Sequence, residues 1–237
     1  MRAPSSLLVV VLIVGCDAAA DTGPDRDLVQ QMIEIRGHMH ARFAATNDIR
    51  VAIAAGDIGR TQAEARIVAD LDEPGILPEW KPYVDNVRAA ALQITQCEDT
   101  ISAAKQLATL GWRCAQCHEA VPGARTAFPK VPSPPSDRRL AATMAGHEWA
   151  IARMWEGLIG PSTERWNDGA SALGKAPLTI TADGDVPGHE LGIADDVARI
   201  RLLATRAGKA KTTFDRADIY GQLLATCANC HHTIRDR

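Results

Sequence analysis

Apolar positions return every three or four residues over most of the chain, the spacing of helices that turn one face to a core. From residue 27 the stripe runs Leu28, Met32, Ile35, Met39, Phe43, Thr46, Ile49 and Ile53, and from residue 137 it runs Leu140, Met144, His147, Ile151, Met154 and Leu158. Breaks fall at "AGDIG" and "DEPGILP", and Asp27 and Ser136 stand where N-caps are wanted. The pattern predicts helices over 27–55, 61–71, 79–96 and 98–120, then over 137–159, 163–173, 193–205 and 213–233. Alternating β-branched runs are scarce, alanine is abundant and aromatic residues make up only 4% of the chain. The expectation is an all-α protein built as two tandem four-helix bundles.

The two halves repeat. A shift of 105 residues lays Ile35 on Leu140, Met39 on Met144, Arg42 on His147, Thr46 on Ile151, Ile49 on Met154 and Ile53 on Leu158. The rival shift of 107 aligns His40 with His147 but puts Met144 on Gly37 and Met154 on Asn47, so the stripe rejects it. Toward the end of each half the shift becomes 113, matching Val84 with Val197, Val87 with Ile200, Ile101 with Phe214 and Ala104 with Ala217. The difference places an eight-residue insertion in "KAPLTITADGDVPGHELG", a long surface loop. Between the halves, "VPGARTAFPKVPSPPSD" holds five prolines and reads as a linker. The expected organisation is a first unit over 27–120, a linker over 121–136 and a second unit over 137–237.

The first residues change the picture. Arg2, the apolar run from Leu7 to Val14, Gly15 and Cys16 read as a secretory signal peptide over 1–15, since the run is too short to span a bilayer. "IVGC" resembles a bacterial lipobox, which makes Cys16 the lipid-bearing first residue of an exported protein, with 16–26 as a tether. Such a protein faces the periplasm or the outside of the cell from its membrane. The formal charge of −3 becomes −4 without Arg2, with both signs interspersed, so no face for nucleic acid is advertised.

Each half ends in nearly the same five letters, "CAQCH" at 114–118 and "CANCH" at 227–231. Two thiols separated by two residues, with an imidazole beside the second, suit haem c: the thiols add to the two vinyl groups and the histidine ligates the iron. The covalent sites are then Cys114 and Cys117, and Cys227 and Cys230, with His118 and His231 as proximal iron ligands and two haem c as cofactors. A zinc site made of both pairs would need them far closer than the 110 residues between Cys117 and Cys230's partner Cys227. A thioredoxin-like pair would open a helix after a strand, whereas these lie near helix ends. Cys97 is left over at the junction of the third and fourth helices; it reads as a buried thiol, with an intermolecular disulfide and hence a dimer as the alternative.

A C-x-x-C-H on the last helix of a four-helix bundle resembles the class II, cytochrome c-prime-like, cytochromes c, here duplicated. Class I cytochromes place the motif early and the distal ligand downstream, but only six residues follow His231. The resemblance implies that the distal iron face is covered from the first helix. It makes Met39 and Met144 the candidates for sixth ligands, with His147 the alternative at the second site and its counterpart Arg42 suited to a haem propionate. His38 and His40 flank the stripe, His189 falls in the inserted loop, His232 sits on a neighbouring face, and Trp112, Trp149 and Trp155 border haem or core. No acid–base pair, nucleophile constellation or phosphate loop is visible. The function expected is an electron carrier between redox proteins rather than an enzyme. The alternative is a nitric oxide or carbon monoxide binder with a five-coordinate haem, and a peroxidase ranks third.

Overall fold

A computed structural model describes residues 26–72, 75–121, 124, 126, 128–133, 140–176 and 193–235. The expected signal peptide, Cys16, the cap at Ser136 and the inserted loop with His189 lie outside these residues. Among the described residues there are eight helices and no strand. They are α1 (Arg26–Ala54), α2 (Ile58–Asp70), α3 (Lys81–Ile94), α4 (Thr100–Ala120), α5 (Leu140–Ile159), α6 (Thr163–Lys175), α7 (Ala194–Ala207) and α8 (Thr213–Arg235). None is long and apolar enough to cross a membrane.

Local chemistry explains the starts. Asp57, Asp99 and Ser162 have extended backbones, and their side chains accept from the amides of Arg60, Ser102 and Arg165, satisfying donors that the first turns of α2, α4 and α6 leave open. Asp27 lies inside the first turn of α1 rather than capping it, where a negative charge suits the positive end of the helix dipole.

Successive helices pack on one another within each half, α1 also meets α4, and α5 also meets α8. The halves are joined by a long contact of α4 with α8, flanked by α1 on α8 and α5 on α4. One apolar cluster therefore runs through both, from Ile49, Val68 and Leu107 to Met154, Leu203 and Leu223. The α4–α8 seam is lined by small residues. A Cβ built on Gly221 would stand 3.1 Å from the Cβ of Ala108 and 3.4 Å from the oxygen of Ala104. Ala108 and Gly221 correspond under the 113-residue shift, so the two halves meet at matching positions.

The proline-rich segment does not hold the halves apart. Where described, it lies along α5 and α6: Thr126 reaches the Gly160 carbonyl, Arg165 donates to the Phe128 carbonyl at 2.6 Å, and Trp149 donates to the Val131 carbonyl at 3.0 Å. Phe128 also meets Phe43 of α1, with ring centroids 5.3 Å apart. The first turns of α1 depart from the expected stripe as well. Leu28 and Met32 are exposed, whereas the deep face of the helix holds Ile35, Arg42, Thr46, Ile49, Arg50 and Ile53.

Candidate functional site

Cys114, Cys117 and His118 occupy the last two turns of α4, and Cys227, Cys230 and His231 the corresponding turns of α8. A helix carries residues three and four apart on one face, so each motif presents two sulfurs and an imidazole together. All six side chains are half-buried, and the described cysteines form no disulfide.

Each histidine is held by the other half of the chain. Nδ1 of His118 lies 2.6 Å from the Ile159 carbonyl at the end of α5, and Nδ1 of His231 lies 2.6 Å from the Ala54 carbonyl at the end of α1. Ala54 and Ile159 are themselves equivalent under the 105-residue shift. A carbonyl only accepts, so Nδ1 carries the proton and the neutral ring keeps its lone pair on Nε2. Burial favours the neutral ring and pushes His118 below the ordinary imidazole range, while its bond to the Ile159 carbonyl opposes that shift. Fixing a ring through Nδ1 while Nε2 offers a lone pair is how ligating histidines are oriented toward a metal.

The thiols of the second motif are not activated. Burial, with Cys230 as neighbour, pushes Cys227 up to about 12, and burial, with Asp196 nearby, pushes Cys230 up to about 11. A raised thiol is less nucleophilic at neutral pH than an activated one, because the thiolate is the reactive form. Among the described residues no three His, Cys, Asp or Glu side chains are grouped to hold a bare metal ion. In each motif two cysteines stand beside an oriented imidazole, a set whose chemistry would fit covalent attachment and proximal ligation of haem c.

The motifs stand at opposite ends of an antiparallel helix pair. Direction follows from the edge-on contact of Trp112 with Phe214, centroids 5.4 Å apart, and from Gly221 sitting against Ala104 and Ala108. His118 is six residues beyond Trp112 and His231 seventeen beyond Phe214. In antiparallel helices these offsets add, so at 1.5 Å per residue the two motifs lie on the order of 20 to 35 Å apart along the pair. The α1 and α8 C-termini meet at Ala54 and His231, and Arg235 also donates to the Ala55 carbonyl there. The N-terminal half of α1, with Met39, therefore reaches toward the level of the first motif, and by the same relation Met144 on α5 reaches toward the second.

Met39 and Met144 are half-buried, as is His147, whose Nε2 is shielded from solvent. Arg42 is buried. His40 and His232 are exposed and His38 half-buried. Trp155 is fully buried against Gly111, where a Cβ would come within 2.5 Å of its ring, one turn before the first motif. Trp112 stacks with Phe214 and lies under Arg113, and Trp149 is tied to the linker. Cys97 is a buried thiol that donates to the Gln93 carbonyl.

Sequence reasoning missed the carbonyls of Ala54 and Ile159, which carry no side-chain signal, and it missed Arg50. The Arg50 side chain is 2% exposed, donates to Asn47 Oδ1 at 2.9 Å and pairs with Glu148 across from α1 to α5. A charged residue four positions after Thr46 on an inward stripe was the available signal.

Compared with known protein families, curated proteins and solved structures, the chain shows no match.

Proposed function

We propose that this chain is a dihaem c-type cytochrome that carries electrons between redox proteins, folded as two four-helix units that share a seam. The observation that carries the reading is the repeated pairing of a C-x-x-C-H with a carbonyl from the opposite half, which orients both histidines alike. Cys114 and Cys117 would hold one haem with His118 as proximal ligand, and Cys227 and Cys230 the other with His231. When bound, a haem supplies an iron that alternates between ferrous and ferric states.

The remaining work belongs to the chain. The Ala54 and Ile159 carbonyls keep Nε2 of each histidine aimed and basic. Partial burial of the motif side chains lowers the local dielectric, and Met39 and Met144 are the proposed distal ligands. Export and a lipid anchor at Cys16 complete the reading.

Intact mass and resistance to acid–acetone extraction test it directly. The mature protein is expected to carry two covalent haems, and Cys227→Ala with Cys230→Ala to leave one; a mass without haem adducts overturns the proposal.

A further inference from the structure

The repeat aligns Arg50 with Trp155, one turn before Ala54 and Ile159, the residues whose carbonyls hold the two motif histidines. Both side chains are almost fully buried, but one is a guanidinium and the other an indole. At this level the two sites are unlike. Beside the first lie Trp155, Gly111 and Leu158, and near them the buried Arg153–Glu156 pair with Arg165, and Arg216, which donates to the Gly157 carbonyl. Beside the second lie Arg50 and its partner Glu148 on α5, while the buried Tyr220 stands between the two levels, its ring 5.4 Å from that of Trp155 and its hydroxyl donating to the Ile151 carbonyl at 3.3 Å.

The Arg50–Glu148 pair is lopsided. Arg50 is 2% exposed, whereas Glu148 is 55% exposed and faces water. Solvent screens the carboxylate more than the guanidinium, so the field left in the interior is positive. Arg50 stands one helical turn, about 5.4 Å, from the residue that holds His231. Its charge also reaches the thiol of Cys227, where burial raises the group and Arg50 opposes that rise.

Resting on the dihaem reading, we infer that Arg50 is a positioning residue for electrons: its buried charge raises the reduction potential of the site at Cys227, Cys230 and His231 and leaves the site at His118 unaffected. A fixed positive charge favours the iron state with the extra electron, and its effect fades with distance. The first motif, at the far end of the α4–α8 pair, lies beyond its reach. Arg50 thus places a buried charge near the second site at a position where the first has an indole.

The test uses the full haem-loaded chain, with covalent haem counted by mass before an optical redox titration. The wave that disappears in the Cys227→Ala, Cys230→Ala variant assigns the second site. Arg50→Met is expected to shift that wave to lower potential, and Glu148→Gln, at a half-exposed position that leaves the core intact, to shift it higher. The other wave should stay in place in both. Two bound haems with neither wave moved by Glu148→Gln, or with both waves moved equally, would overturn the role of Arg50 while leaving the cytochrome reading standing. Absence of covalent haem would overturn that reading itself.

Discussion

The imidazole of His231 is 2.6 Å from the backbone oxygen of Ala54, 177 residues earlier in the chain. The same relation joins His118 to Ile159, so each half completes the other's motif. A chain cut to residues 26–120 would lose the Ile159 carbonyl and expose the α4 seam at Ala104 and Ala108. It should fail to give the single cooperative melt of the whole protein, as followed by circular dichroism at 222 nm.

The seam itself can be tested at Gly221. Leucine there has no room against Ala108 and the Ala104 backbone, and overpacking of this kind costs about 1–3 kcal/mol. Guanidinium denaturation should show a lower midpoint for Gly221→Leu with a similar slope.

Asp99 caps the helix that carries the first motif, accepting from the Ser102 amide at 2.7 Å. That bond, against a small cost of burial, holds its carboxyl below the usual range. A group with a depressed folded pKa stabilises above its unfolded value and loses that contribution as pH falls through the folded one. Asp99→Ala should therefore cost about 1 kcal/mol at neutral pH, with the gap from the unmodified protein closing below roughly pH 4. Denaturation midpoints across pH 2–7 would check it.

On the proposed dihaem reading, Met144→Ala should open one of the two ferrous haems to carbon monoxide, and Met39→Ala the other. Optical titration counts the sites. Opening by His147→Ala in place of Met144→Ala would assign the second site to histidine, and binding by the unmodified protein would favour the gas-binding alternative.

Much of this was legible in the sequence because helical periodicity is local. The expected helix at 163–173 is observed as Thr163–Lys175, and that at 213–233 as Thr213–Arg235. The start of α2 was placed late because the cap at Asp57 went unread beside the glycine-rich break. At the first turns of α1 the stripe misled: Leu28 and Met32 continue the pattern, yet they are exposed, because periodicity marks a face without saying how far along the helix that face is covered.

The sequence by itself determined the helices, the recurring register of the two halves and the six motif residues, since each rests on spacings within a few turns or on counting from one half to the next. Only the tertiary structure decided how the copies meet. An antiparallel seam at Ala108 and Gly221 carries the motifs to opposite ends and hands each histidine to a carbonyl of the other half. Backbone oxygens are the same at every residue and leave no mark in the letters. The importance of Arg50 was hidden for a related reason: whether a charge on a helix is solvated or buried beside a partner 98 residues away depends on packing, which periodicity does not encode.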